Sequence, residues 1–150
     1  MNLNPLEEAV VRKELSRSLN VAWYRNQARN LNASLAIPYE INGKLEPMYP
    51  DFIFFQKTGD GRIVRVIVDP HGDWLGDSVA KLKGYVAYLK DHPDMFGSVL
   101  VVSDEKNKIC RYLDLMTKPV QDALENFKGN SAKELFMGAL GKNYTVVSDK

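Results

Sequence analysis

Two aspartates stand where two predicted strands begin and end, and together they could hold a metal ion. Asp51 opens the predicted strand 51–55, and Asp69 closes the predicted strand 63–69. A turn rich in Gly and Asp, Lys57–Gly61, joins them as an antiparallel hairpin. Because the start of one antiparallel strand meets the end of the next, we expect both carboxylates at one end of the sheet, a few ångströms apart.

Two carboxylates at that separation repel each other unless a positive charge lies between them. Mg²⁺ prefers oxygen ligands, and the carbonyl of Pro70 could add a third oxygen to those of Asp51 and Asp69. Such an ion activates water and stabilises negative charge on a phosphodiester. The alternative is that both aspartates only terminate strands and cap turns.

A third carboxylate comes from the first predicted helix. Asn4 fits the N-cap and Pro5 the first helical position, and the helix is expected to run to about Ser18. At about 100° per residue, Glu7 and Glu14 fall inside the apolar arc of this helix. Glu7 therefore either belongs only to the helix cap or points inward as a carboxylate of the site.

The remaining patterns predict one mixed sheet flanked by helices. The strand 63–69 is apolar on both faces except at Arg65, which favours a central position. A helix after it and a short buried strand after that indicate a parallel crossover. The expected fold class is therefore α/β, with further strands at 37–41, 98–102 and 109–115 and helices at 77–90, 119–127 and 132–140.

The composition of the chain excludes several classes of protein and of metal site. The chain has 150 residues, a net charge of +1, one Cys and two His, which excludes a disulfide framework, a cysteine zinc cluster and a three-histidine metal site. It contains neither a P-loop motif nor an apolar run long enough for a membrane span, and its N-terminus does not resemble a signal peptide. We expect one cytoplasmic domain over residues 1–150, frayed from about Ser148.

Four short motifs, in this order, resemble a known nuclease family. They are Trp23-Tyr24-Arg25-Asn26, Ile37-Pro38-Tyr39, Tyr49-Pro50-Asp51-Phe52 and Asp69-Pro70-His71-Gly72. The third and fourth motifs, which contain Asp51 and Asp69, resemble the PD-(D/E)XK signature. The whole set resembles the C-terminal endonuclease domain of type III restriction enzyme subunits and DEAD/DEAH-box helicases. The resemblance implies a restriction-endonuclease-like core and metal-dependent DNA cleavage, with Asp51 and Asp69 as metal ligands and Glu7 as an additional acid.

The sequence departs from that family at the position after Pro70. The family usually has Lys there, and this chain has His71. A histidine could act as a general base or bind Mn²⁺, or it could mark a site that has lost catalysis. Alternatively, the positive charge has moved to Lys81 or Lys83 in the following helix, although both also fit a solvated helix face.

Three further side chains could contact DNA. Arg25 could bind phosphate, Lys83 could do the same, and Trp74 could touch substrate just beyond the site. Each also has a structural interpretation: Arg25 could pair with a nearby acid, and Trp74 could pack in the core.

Taken together, these features favour a metal-dependent DNA endonuclease domain of a restriction or helicase-associated system. The resemblance implies DNA as substrate and an ATP-dependent helicase or translocase region, in the same polypeptide or a partner chain. Under that view the chain is either an excised C-terminal domain or a stand-alone relative. The alternative is a catalytically inactive nuclease fold that binds DNA or docks a partner. An unrelated α/β protein with accidental motif matches is a third possibility.

Overall fold

The computed structural model describes residues 3, 5–15, 20–26, 35–71, 78–103, 110–129 and 131–144. Within these ranges the chain forms four helices and eight strands. The helices are α1 (Pro5–Leu15), α2 (Ser78–Asp91), α3 (Lys118–Glu125) and α4 (Lys133–Met137). The strands are β1 (Asn20–Arg25), β2 (Ile37–Ile41), β3 (Lys44–Met48), β4 (Phe52–Lys57), β5 (Ile63–His71), β6 (Ser98–Ser103), β7 (Cys110–Asp114) and β8 (Lys142–Tyr144).

Six of the strands form one mixed sheet in the order β1-β4-β5-β6-β7-β8, and β2 pairs with β3 in a separate two-stranded sheet. β4 is antiparallel to both β1 and β5, whereas β5 and β6 are parallel. Helix α2 makes the crossover between the two parallel strands, as parallel pairing requires. The prediction of a mixed α/β fold with a mixed sheet and helices is confirmed at this level.

The central hairpin buries both of its faces because successive side chains of a strand point to opposite sides. Ile53 and Ile67 belong to the core that includes α2. Phe52, Phe54 and Val68 belong to the core on the opposite side, together with residues of α1. The hairpin therefore lies between two helices, and its end is within reach of side chains from both.

The strand order is not a simple meander. The strand predicted at 37–41 is β2, which pairs with β3, and β1 takes the place beside β4. The reason is the turn at Asn42-Gly43, whose φ angles are 53° and 75°. Two consecutive positive φ angles suit a tight two-residue hairpin, which brings the next residues back at once.

The β2–β3 hairpin rests directly on α2. A Cβ built on Gly84 of this helix would lie 2.5 Å from the Tyr39 Cβ and 2.8 Å from the Pro38 carbonyl oxygen. Only a glycine allows this approach, so the hairpin is held against the helix as a wall beside the end of the main sheet.

One predicted helix boundary falls outside the described residues. Helix α1 ends at Leu15 among the described residues, and the segment expected to continue to Ser18 lies outside them. No helix in the described ranges is long and apolar enough to cross a membrane.

Candidate metal-binding active site

The two aspartates singled out in the sequence lie side by side. The β4–β5 register pairs Phe52 with Val68, so the next residues along, Asp51 and Asp69, fall opposite each other at the same end of the sheet. The backbone N–H of Asp51 donates a hydrogen bond of 3.2 Å to Oδ1 of Asp69. The expected juxtaposition is therefore confirmed, although it does not by itself assign a role.

A tyrosine from the crossover helix fixes the second oxygen of Asp69. The hydroxyl of Tyr85 donates to Oδ2 of Asp69 at 2.6 Å, and Tyr85 is only 2% exposed. Burial, followed by the charge of Asp69, raises the pKa of Tyr85 well above its usual value. The phenol therefore stays protonated and holds the Asp69 carboxyl group in one orientation.

Crowding of acids in a half-buried space perturbs both aspartates. Burial, then Asp69 and Glu7, raises the pKa of Asp51 from 3.8 to about 7, while Arg25 opposes the rise. Burial raises the pKa of Asp69 to about 6, against the hydrogen bonds from Tyr85 and the Asp51 amide. Ionisation of both carboxyl groups at this end of the sheet is therefore unfavourable, and a bound cation would offset the repulsion between them.

Glu7 reaches this cluster from the other side of the sheet. It is 6% exposed, and it adds a side-chain hydrogen bond with Asp51 to the cluster. The guanidinium of Arg25 donates to Oε2 of Glu7 at 2.9 Å. Glu7 therefore points inward and is paired with Arg25 beside Asp51, while its role as an acid of the site stays a prediction.

Arg25 was predicted either to contact DNA or to pair with a nearby acid, and the structure shows the ion pair with Glu7. The aromatic neighbour Trp23 also packs inward, 6.0 Å from the ring centroid of Phe54. Asn26 completes the motif: its backbone N–H donates to the Asp51 carbonyl at 2.7 Å. Its side-chain amide also exchanges two 2.8 Å hydrogen bonds with the backbone of Leu35. The motif thus anchors the strand end that carries Asp51.

The aspartates open into a cavity of about 350 Å³. Part of its lining comes from the β2–β3 hairpin and the loop after it, and part comes from α2, on which the hairpin rests. The lining residues are Tyr39, Pro47, Met48, Tyr49, Asp51, Asp69, Pro70, Lys81, Leu82 and Tyr85. This half-open space is where a reacting group would meet the carboxylates.

Lys81 is the predicted lysine that lies at the cavity. Its Nζ lies 5.7 Å from the centroid of the Tyr39 ring, and its charge lowers the pKa of Asp69. Lys83 instead donates to the carbonyl of Phe127 at 2.6 Å and does not line the cavity. The structure therefore separates two lysines that sequence reasoning treated together.

Three predicted positions remain partly or wholly untested. Pro70 is buried and lines the cavity, just past the point where the pairing of β4 with β5 ends. His71 closes β5 opposite Ser103, but its side chain lies outside the described part of the chain, as does Trp74 altogether. Roles for His71 and Trp74 stay predictions.

The cavity wall was missed by sequence reasoning. Tyr39 and Tyr49 were read only as parts of motifs, and β3, which carries Pro47 and Met48, was not predicted. Tyr85 follows Lys81 by four residues in the sequence. That i, i+4 spacing was the available signal, since it places both side chains on one helix face.

The donor set fits a divalent cation held by two carboxylates. Among the described residues, no group of three or more His, Cys, Asp or Glu side chains is arranged to hold a metal ion. Mg²⁺ often binds through one or two carboxylates, keeping waters and substrate oxygens as its other ligands. A carboxylate has about four lone-pair positions, so the hydrogen-bonded oxygens of Asp69 retain capacity for a metal.

Sequence comparisons place the chain in a family other than the one its motifs resemble. The YagJ family profile matches residues 1–145. "Protein YagJ" of Escherichia coli (strain K12) is 35% identical over 142 residues, which cover 95% of this chain and 57% of that relative. The chain thus spans little more than half the length of this curated relative. No solved structure matches the chain significantly. The assignment to type III restriction or DEAD/DEAH-box helicase subunits is wrong, and the chain belongs to the YagJ family.

Proposed function

We propose that this chain is a metal-dependent nuclease that hydrolyses phosphodiester bonds in DNA. The observation that carries the proposal is the pair Asp51 and Asp69, side by side at the end of an antiparallel hairpin and open to a cavity that Lys81 also lines. Paired acids with raised pKa values in a cavity are typical of functional sites. Mg²⁺, or Mn²⁺, is the proposed cofactor.

Each residue of the site has a proposed role that follows from its position. Asp51 and Asp69 would hold the ion, which supplies activation of water and stabilisation of charge on the phosphate. Tyr85 keeps Asp69 oriented, and the Glu7–Arg25 pair supports Asp51 from behind. The ammonium of Lys81 would bind a phosphate oxygen and stabilise the charge that develops there. His71 remains a proposed general base.

The finer fold assignment is part of the same proposal. An acid-bearing antiparallel hairpin, followed by a helix and a parallel strand, is compatible with a restriction-endonuclease-like core. The proposed helicase or translocase partner rested on the resemblance that the family comparison overturned. The nuclease proposal does not need it, because it rests on the site itself.

The direct test is metal-dependent cleavage. Purified protein is incubated with supercoiled plasmid and with circular single-stranded DNA, in Mg²⁺, in Mn²⁺ and in excess chelator. We expect cleavage that the chelator abolishes and that falls at least about 100-fold in Asp51→Asn and Asp69→Asn. Asp94→Asn, on an exposed loop, is the matched control. Cleavage at the wild-type rate by both site variants would refute the proposal.

A second candidate is a nuclease-like fold that binds DNA without turnover. It is favoured by hydrogen bonds that occupy both oxygens of Asp69 and by the ion pair that engages Glu7. In this case the wild type shows no metal-dependent cleavage, yet it retards DNA in a gel. Asp51→Asn would then leave DNA affinity unchanged or raise it, because the substitution removes a negative charge.

A further inference from the structure

The cavity over the aspartates has a size and lining that suit one nucleotide. Its volume of about 350 Å³ lies near the lower end of the roughly 300–1,000 Å³ typical of small-molecule sites. Its lining combines a polar floor, formed by Asp51 and Asp69, with apolar and aromatic side chains such as Met48 and Tyr49. A phosphate on the floor and a base against the aromatic wall would use both kinds of surface.

The β2–β3 hairpin, which lines the cavity, is packed tightly against helix α2. At Gly84 the helix leaves only enough space for the Tyr39 Cβ and the neighbouring Pro38 carbonyl. The ammonium group of Lys81 lies over the Tyr39 ring and so adds a contact between helix α2 and the hairpin. The hairpin therefore forms a fixed boundary of the cavity on its side.

We propose that this site takes an unpaired nucleotide, so that its substrate is single-stranded DNA or a duplex with an unpaired end. The inference deepens the proposed function and rests on it. Tyr49 is assigned as the surface on which the base stacks, because it lines the cavity and is only partly buried. Tyr39 is 8% exposed and is already packed against the helix, so it forms the wall behind.

The physical reason is the cost of extracting a nucleotide from a duplex. A stacked, paired base must be unstacked and unpaired before it enters such a pocket, and a single strand avoids that cost. Stacking on an aromatic side chain tolerates any base, so the site would select for strand state rather than for sequence. We expect single-stranded DNA to be cleaved at least about tenfold faster than blunt duplex of the same sequence.

The experiment compares three end-labelled DNAs of one sequence: a single strand, a blunt duplex and a duplex with a single-stranded overhang. Cleavage is measured in Mg²⁺, and binding is measured separately in Ca²⁺ by fluorescence anisotropy. The expected order for both is single strand and overhang above blunt duplex. Blunt duplex that binds and is cleaved as well as the single strand overturns the inference, while the proposed function stands.

The binding measurement separates the two proposals. Preferential binding of single strands without cleavage of any DNA supports the inference about the ligand and overturns the nuclease activity. Absence of both binding and cleavage overturns both proposals. Each result is read on protein whose thermal unfolding transition is intact.

Variants of the aromatic wall provide the local test. Tyr49→Ala is expected to weaken single-strand binding roughly 5- to 150-fold, the range for loss of one base–aromatic stack, and Tyr49→Phe is expected to restore it. Tyr24→Ala is the control, because Tyr24 is also a partly exposed tyrosine but does not line the cavity. Equal affinity of wild type and Tyr49→Ala would overturn the assignment of the base to this wall.

Discussion

Replacing Asp51 by Asn should make the protein more stable at alkaline pH. The substitution keeps the size of the side chain and removes its charge. The pKa of Asp51 is raised from 3.8 to about 7, so between these values the folded protein holds a proton that the unfolded chain has released. The free energy of unfolding of the wild type therefore falls as pH rises through this window, and the loss is complete above about pH 7.

The two pKa values set an upper bound of roughly 4 kcal/mol on this loss, because a tenfold change in proton affinity is worth about 1.4 kcal/mol. The carboxyl group is partly exposed and shares its environment with Asp69, so a gain of about 1–3 kcal/mol is the reasonable expectation for Asp51→Asn. For a domain of this length, each kcal/mol raises Tm by about 2–4 °C.

The assay is thermal unfolding by circular dichroism without divalent metal, at about pH 5 and about pH 8, where the wild-type carboxyl group is mostly protonated and mostly ionised, respectively. The variant should gain stability at both pH values, but its gain at the lower pH should be less than half of its gain at the higher pH. Asp60→Asn is the control: Asp60 is exposed, and its pKa is lowered by the Thr58 hydroxyl, so its removal should not stabilise the protein. An equal effect of Asp51→Asn at both pH values would refute the electrostatic reasoning.

The same variant tests the cation. A divalent ion that binds only the folded protein raises Tm by mass action. Millimolar Mg²⁺ should therefore stabilise the wild type at about pH 8 and leave Asp51→Asn unaffected. Equal Tm shifts in both proteins would mean that the ion binds elsewhere.

Two further substitutions test contacts around the site. Tyr85→Phe removes a hydrogen bond that lowers the pKa of Asp69, so that pKa should rise and the acid limb of the cleavage-rate profile should move to higher pH. An unchanged profile would contradict the positioning role of the phenol. Gly84→Ala forces apart the helix and Tyr39 and should cost about 1–3 kcal/mol in urea unfolding. Gly59→Ala has open space around it and serves as the control, so a similar loss in both would refute the close-packing argument.

The central elements could be predicted because local pattern and burial agree. Strand β5 is apolar on both faces and is central, and helix α2 carries Leu82, Val86 and Leu89 at helical spacing. The proximity of Asp51 and Asp69 followed from strand direction alone. These features depend on residues near in sequence, which is what periodicity reports.

The features of the fold that were not predicted from the sequence depend on tertiary contacts or on weak local patterns. Strand β3 is mostly exposed and contains Pro47, so no alternation marks it. The place of β1 beside β4 is decided by packing, including Trp23 against Phe54, rather than by chain order. The cavity could not be predicted from motifs or from periodicity, because the residues that line it come from elements distant in sequence.

The family prediction failed for a related reason. The motifs around Arg25, Asp51 and Asp69 mark strand ends that pack against one another. Short matches of this kind identify a local geometry that more than one family can contain. The chemistry inferred from the geometry is therefore separable from the family name, and only the name is contradicted.

The proposed cation site offers a physical reason for keeping two acids in this position. Each is held partly buried beside another acid with its pKa raised, which destabilises the folded protein near neutral pH. Asn at either position would keep hydrogen bonding without that cost. Tyr85 and the Asp51 amide nevertheless hold the Asp69 carboxyl group in place, and Arg25 holds Glu7 behind it. A costly arrangement of acids, held in position by dedicated contacts and open to a cavity, is the pattern expected where binding of a cation repays the loss.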